Sequence, residues 1–157
     1  MMKVAVFSDT HANPALMIEA VGKLRPDAVI HLGDLERDAD LLRSRYPEIP
    51  VYSVCGNCDA CPVYPEKDVV VLGAVKAFIT HGHLYDVYWG RMDRLVYAAQ
   101  EEGCSIALFG HTHIAVNEEV GGVKVINPGT AGKGQELTYA FLEVFDNGGV
   151  ASEIRNL

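Results

Sequence analysis

The chain has 157 residues, the length of one ordinary domain, and 49% of them are apolar against 22% charged. That balance supports a buried core and excludes a chain disordered by composition. Thirteen Lys and Arg against twenty-one Asp and Glu give a formal charge of −8, which excludes a general grip on nucleic-acid backbone, since that needs clustered cations. No apolar run reaches the roughly 18 residues of a membrane helix. The N-terminal apolar run stops at Ser8-Asp9 and does not read as a signal peptide. One soluble, cytoplasmic domain over residues 1–157 is expected.

Strand-like and helix-like runs alternate at first. Val4 to Phe7 is a short continuous apolar run, as in a strand covered on both faces. Asn13 followed by Pro14 reads as an N-cap and a first helical residue. Leu16, Met17, Ala20, Val21 and Leu24 then repeat at helical spacing until Arg25-Pro26. Ala28 to Leu32 predicts a second strand, Ala39 to Tyr46 a short helix, and Val51 to Val54 a third strand. After a Cys- and Pro-rich loop, Asp68 to Leu72 and Val75 to Thr80 predict a hairpin through Gly73-Ala74. A helix over Arg91 to Glu101 and a buried strand over Ile106 to Phe109 follow. From Ala115 onward the pattern is β only: Ala115 to Val120, Val123 to Asn127, Thr138 to Phe145 and Val150 to Arg155. The order predicts an α/β fold with two sheets packed between helices.

Three cysteines, Cys55, Cys58 and Cys61, have C-x-x-C-x-x-C spacing, and Cys104 is remote. A structural zinc or iron–sulfur site usually takes a fourth soft ligand nearby, and none follows. Reduced cysteines are expected, with a redox-labile pair as the alternative.

The polar residues carry the information. Val4 to Phe7 leads into Ser8-Asp9-Thr10-His11, and Ala28 to Leu32 into Gly33-Asp34. Val51 to Cys55 leads into Gly56-Asn57, Val75 to Thr80 into His81-Gly82-His83, and Ile106 to Phe109 into Gly110-His111-Thr112-His113. Ligand sites of α/β sheets lie beyond the carboxyl ends of the strands. If these strands share a sheet, the clusters converge on one edge. Asp-x-His, Gly-Asp and Gly-Asn alone are ordinary caps or turns and His-x-His is as often a surface pair as a ligand pair, but five clusters together at strand ends call for a site. Asp9, His11, Asp34, Asn57, His81, His111 and His113 form a mixed O/N ligand set that suits Mn, Fe, Co, Ni or Zn. Seven candidates exceed what one ion uses, so two ions are the natural count. Cations about 3.5–4 Å apart need an anion between them, and Asp34 is the candidate bridge. Asp9 and His11, and likewise His111 and His113, alternate and are expected to point the same way along extended segments. His31 reads as a core histidine or one that supports the site.

The ordered set D-x-H, G-D, G-N, H-G-H and G-H-T-H resembles the calcineurin-like metallophosphoesterases, specifically the small bacterial and archaeal phosphodiesterases of the YfcE type. The resemblance runs from Asp9 to about Thr130, where Asn127-Pro128-Gly129-Thr130 looks like the family's N-P-G-[ST] turn. It implies a four-layer α/β/β/α sandwich and hydrolysis of a phosphate ester, most simply a phosphodiester, by a hydroxide bridging two divalent transition-metal ions, manganese first. One ion would take Asp9, His11, Asp34 and His113; the other would take Asp34, Asn57, His81 and His111. Asp34 and Asn57 then carry catalysis as well as metal, and Asn57 touches substrate. Many relatives have a histidine directly after the motif asparagine, often taken as the proton donor. Here Cys58 stands there, followed by Asp59, and His83 is the replacement candidate for catalysis and substrate contact by proximity. The loop after Thr130 lacks the proline-arginine pair of relatives, with Lys133 the nearest cation.

Two aspartates against two divalent cations leave the rim locally positive, so an anionic ester is attracted although the whole chain is acidic; remote carboxylates are screened beyond about 8 Å. The expected partner is a small phosphate ester, with no membrane; self-association into a homo-oligomer is compatible with the same site. Two other functions compete. One is a non-catalytic interaction scaffold on the same fold, like the retromer subunit. The other is a metal-storage or redox protein built on the three cysteines. Tyr85, Tyr88 and Trp89 are candidates to stack on a base or aryl group, or to serve as core or subunit contact.

Overall fold

The computed structural model describes residues 1–157. Its elements run β1 (Met2–Phe7), α1 (Ala15–Leu24), β2 (Ala28–His31), α2 (Glu36–Arg45), β3 (Val51–Ser53), β4 (Lys67–Leu72), β5 (Val75–Thr80), α3 (Asp93–Glu101), β6 (Ile106–Leu108), β7 (Val116–Val120), β8 (Val123–Asn127), β9 (Thr138–Val144) and β10 (Val150–Asn156), with a 3-10 turn over Tyr88–Gly90. Two five-stranded sheets form, in the orders β10-β9-β1-β2-β3 and β4-β5-β6-β8-β7. In each, three neighbouring strands are parallel (β1, β2, β3 and β5, β6, β8), and antiparallel partners complete the sheet.

Period-two alternation with both phases apolar builds the layers. Val4 and Val6 of β1 and Ile30 of β2 meet Ile79, Ile106 and Leu108 between the sheets. The other phase, Ala5, Phe7 and Val29, packs on Met17 and Val21 of α1 and Leu42 of α2. In the second sheet Phe78, Ala107 and Phe109 pack on Leu95, Val96 and Ala99 of α3. The result is helices, sheet, sheet and helix: the four-layer sandwich expected. Truncating one such buried side chain to alanine costs about 2–5 kcal/mol.

Three sequence expectations change. Asn13 does not cap α1: Pro14 occupies the N-cap position without a side-chain hydrogen bond, and the Asn13 amide donates to the Gly132 carbonyl at 3.2 Å. Helix α2 starts three residues earlier than Ala39, at Glu36, because the Asp59 carboxylate accepts the Glu36 N–H at 2.8 Å, a cap supplied from a distant loop. The five motif-bearing strands do not share one sheet. β1, β2 and β3 belong to the first and β5 and β6 to the second, so the clusters converge where the carboxyl ends of two stacked sheets meet. No helix is long and apolar enough to cross a membrane.

Candidate metal centre

The residues after β1, β2, β3, β5 and β6 close on one rim. Asp9 is fully buried. Its Oδ2 accepts the Ser8 hydroxyl at 2.6 Å and the His111 N–H at 3.1 Å. The Asp9 N–H donates to the Gly33 carbonyl at 3.1 Å, and the Asp9 carbonyl accepts the Thr130 hydroxyl at 3.0 Å. Asp9 is thereby fixed from both sheets and from the Asn127–Thr130 turn.

The other Asp9 oxygen decides the chemistry. Oδ1 is buried and accepts no hydrogen bond. Around it stand the Nε2 atoms of His113, His11 and His81 at 3.1, 3.6 and 3.9 Å. Asp34 Oδ2 lies 3.7 Å from His11 Nε2 and 3.4 Å from His81 Nε2, and His11 and His113 face each other Nε2 to Nε2 at 3.3 Å. Leaving a buried carboxylate oxygen unpaired costs about 1–3 kcal/mol or more, and lone pairs crowded face to face call for a cation. The donor set, carboxylate oxygens with imidazole nitrogens, fits a divalent transition ion.

Orientation is set from outside the rim. The His81 Nδ1–H donates to the Leu32 carbonyl at 2.6 Å, which turns Nε2 inward as a ligand position. Asn57 Oδ1 lies 3.1 Å from that Nε2. Asp34 Oδ1 is engaged by the Cys58 N–H at 2.9 Å, which leaves Oδ2 for the rim. Burial pushes the Asp9 and Asp34 carboxyls up, but the histidines, His113 and His81 for Asp9 and His81 for Asp34, outweigh it and hold both low. Burial pulls the His81 imidazole down, yet Asp34 and Asp9 win and raise it. The same carboxylates that draw a proton to His81 would draw a cation.

Of three compact groups, each with its ligand atoms within 4.8 Å of one another, two contain Asp9, namely Asp9–His11–His113 and Asp9–Asp34–His81. All seven predicted residues come to the rim, His111 through its N–H on Asp9 and its ring 5.1 Å from that of His81. Asp9 belongs to both groups, while Asp34 Oδ2 reaches one histidine of each; both carboxylates therefore lie between the imidazoles.

The local backbone differs from the expected extended segments. Asp9, His11, Asp34, His111 and His113 all have left-handed φ, between 46° and 67°. Asp and His enter this region more readily than most residues, at about 1–3 kcal/mol each. The bonds from His11 N–H to the Asp34 carbonyl and from Gly110 N–H to the His81 carbonyl help hold them there. Gly56 and Gly110 permit the close approach, since a Cβ at either would collide with Asp34 Oδ1 or Ser8 Oγ.

His31 is buried, bonded to the Thr10 hydroxyl and the Gly33 N–H, and burial lowers its pKa to about 4; it supports the site as a neutral side chain. His83 has its ring 5.5 Å from His81 and 6.1 Å from His111. Burial, then the neighbouring His81, push its pKa down. Tyr85 packs edge-on against Phe78 and is core, whereas Tyr88 lies 4.9 Å from the His111 ring. All four cysteines are free, with Cys58 and Cys61 exposed. Cys58 alone among them joins a ligand group, with His11 and Asp34.

Asp59, which belongs to none of the five motifs, also has a role at the rim. Its Oδ2 accepts the Gly56 N–H at 2.6 Å and the Asp34 N–H at 3.2 Å, and its Oδ1 accepts the Glu36 N–H. One carboxylate thus ties the Gly33-Asp34 turn to the Gly56-Asn57 turn. Glu36 pins the following loop through the Val63 and Tyr64 N–H groups. The available signal was the aspartate three residues after Gly56, a spacing suited to accepting backbone N–H groups in a turn.

Residues 2–147 match the calcineurin-like phosphoesterase superfamily domain, and the chain belongs to that family. Among relatives it is 33% identical over 132 residues to the probable metallophosphoesterase YsnB of Bacillus subtilis, covering 82% of this chain and 75% of that one. It is 31% identical over 145 residues to the phosphodiesterase MJ0936 of Methanocaldococcus jannaschii, covering 82% and 83%. A conserved predicted phosphoesterase of Streptococcus pneumoniae superposes with a TM-score of 0.79 at 30% identity, covering 99% and 98%. A Vps29 variant of Entamoeba histolytica superposes at 0.78 with 25% identity, covering 99% of each. The chain is thus a metal-dependent phosphoesterase by family, with residues able to hold divalent ions.

Proposed function

We propose that the chain is a cytoplasmic phosphodiesterase, one domain over residues 1–157, that works with two divalent transition-metal ions, manganese foremost. Asp9, His11, Asp34 and His113 would hold one ion; Asp34, Asn57, His81 and His111 would hold the other. The observation that carries this is the buried, unpartnered Asp9 Oδ1 ringed by imidazole nitrogens. When bound, such ions supply an acidified water and withdraw charge from phosphoryl oxygens.

The chain's own residues do the rest. Leu32 and Cys58 hold His81 and Asp34 so that one face of each stays available to the rim. Asn57 presents its side chain beside His81, where it can also touch the ester. His83, its ring 5.5 Å from that of His81, is by proximity the candidate for contact with the ester and for proton delivery to the leaving oxygen, the role that a histidine at the Cys58 position fills in many relatives; since burial pushes its pKa down, that delivery requires the bound ester's charge to draw the proton back. Two exposed, free cysteines suit a reducing compartment.

Asp34→Asn is the test. Manganese bound per chain and turnover of bis(4-nitrophenyl) phosphate should both collapse while the far-UV spectrum is retained. Near-normal manganese-dependent turnover in this variant would refute the assignment. A non-catalytic scaffold, suggested by the Vps29 likeness, is not favoured, because all seven ligand candidates are present and brought together. Manganese-loaded protein that hydrolyses no ester would reverse that preference.

A further inference from the structure

Next to the rim, and outside its seven residues, lies a cleft of about 450 Å³. Tyr88, Trp89, Met92, Ile114, Thr112 and Glu118 are among its walls, and no Lys or Arg is. None of the seven lines the cleft, but it borders the metal centre at two points. Thr112 sits in the chain between His111 and His113, and the Tyr88 ring lies against the His111 ring at 4.9 Å and 63°. At its outer lip the Trp89 side chain is 96% exposed and Ile114 67%. Trp89 is held out by a left-handed turn (φ 61°), a conformation that a bulky residue seldom adopts. An indole and a branched aliphatic left in water beside a reaction centre form an apolar surface that nothing in the chain covers.

We propose that this cleft takes the flat, uncharged substituent of the phosphodiester, an aryl ring or a nucleobase, while the phosphoryl group lies at the rim. The inference rests on the phosphoesterase reading above. Adjacency to the rim gives the occupant its place: a substituent that extends from a phosphorus near His111 toward Tyr88 meets the cleft wall. The lining gives it its chemistry. Glu118 is the only formal charge, so an anionic group such as a second phosphate is repelled, and aromatic faces at Tyr88 and Trp89 favour a flat ring.

Trp89 is the sole tryptophan, so intrinsic indole fluorescence reports this cleft alone. Manganese-loaded wild-type protein is titrated with phenylphosphonate, with thymidine 5′-monophosphate and with methylphosphonate. A saturable change in emission is expected with the aryl or the nucleotide ligand and none with methylphosphonate; the first two arms tell an aryl site from a nucleobase site. Ile114→Ser should weaken that response about tenfold, the loss of one apolar side-chain contact, with manganese content unchanged. Trp89→Ala and Ile114→Ser should raise KM for bis(4-nitrophenyl) phosphate more than they lower kcat. Emission that ignores both ring-bearing ligands, or answers methylphosphonate equally, overturns the cleft assignment if the protein still hydrolyses the diester, and leaves the phosphoesterase reading standing. Failure of the loaded wild type to hydrolyse any ester overturns both.

Discussion

The floor of the rim and its outer lip are built on opposite principles. On the floor, Asp9 and His81 are wholly buried, and side-chain atoms are fixed by backbone groups of neighbouring turns: Leu32 for His81, Cys58 for Asp34 and the His111 N–H for Asp9. At the lip, Trp89 and Ile114 face water, and the one side-chain hydrogen bond to either is the Thr112 hydroxyl accepting the Ile114 N–H at 3.3 Å. Chemistry needs atoms held in place before substrate arrives, whereas recognition of an apolar group needs surface area. A mutation on the floor should therefore move stability and metal together. One on the lip should leave both alone and alter only which ester is accepted.

The contrast is broken most severely through Asp59. Asp59→Ala removes the acceptor of three backbone N–H groups, and at about 1 kcal/mol per bond denaturant unfolding should show a loss of about 2–4 kcal/mol. Manganese affinity should fall with it, since the Asp34 and Asn57 turns come apart. Unchanged metal affinity would mean that the two turns keep their spacing without it.

A second effect, comparable in size, is read in pH. His31 is lowered by burial from 6.5 to about 4. Between those values the unfolded chain takes up a proton that the folded one refuses, so stability falls as pH is lowered through that window. At 1.36 kcal/mol per unit the full loss is about 3 kcal/mol. His31→Gln should flatten this part of the urea-midpoint profile between pH 7 and pH 4; an unchanged slope would place the proton elsewhere.

Gly110→Ala should cost about 1–3 kcal/mol, because its Cβ meets Ser8 Oγ and Asp9 Oδ2, and should lower manganese occupancy. At the lip the expectation is the smallest: Trp89→Ala should shift unfolding by no more than about 0.5 kcal/mol. A large loss would make Trp89 a structural residue and erase the distinction between floor and lip.

These two regions also differ in how they appear in the sequence. The floor was legible because each ligand candidate follows an apolar run, and the strand boundaries fell within about two residues of the observed ones, as with Val123 to Asn127. What the runs do not encode is which sheet a strand joins: β2 and β6 look alike in one dimension, and only pairing separates them. Extended geometry was the natural expectation for Asp9-x-His11 and His111-x-His113, yet left-handed backbone at these residues is imposed by contacts from distant turns. The early start of α2 was hidden for the same reason, since its acceptor, Asp59, lies far along the chain. Tyr85, Tyr88 and Trp89 read as one aromatic group, but packing sends the first into the core, the second onto His111 and the third into water.

Everything proposed for the rim requires that it hold a pair of cations. Anomalous scattering from crystals of manganese-loaded protein tests it most directly. Two peaks are expected among the seven side chains, with the Asp34 carboxylate between them. A rim without signal, or a lone peak that Asp34 does not touch, would contradict it.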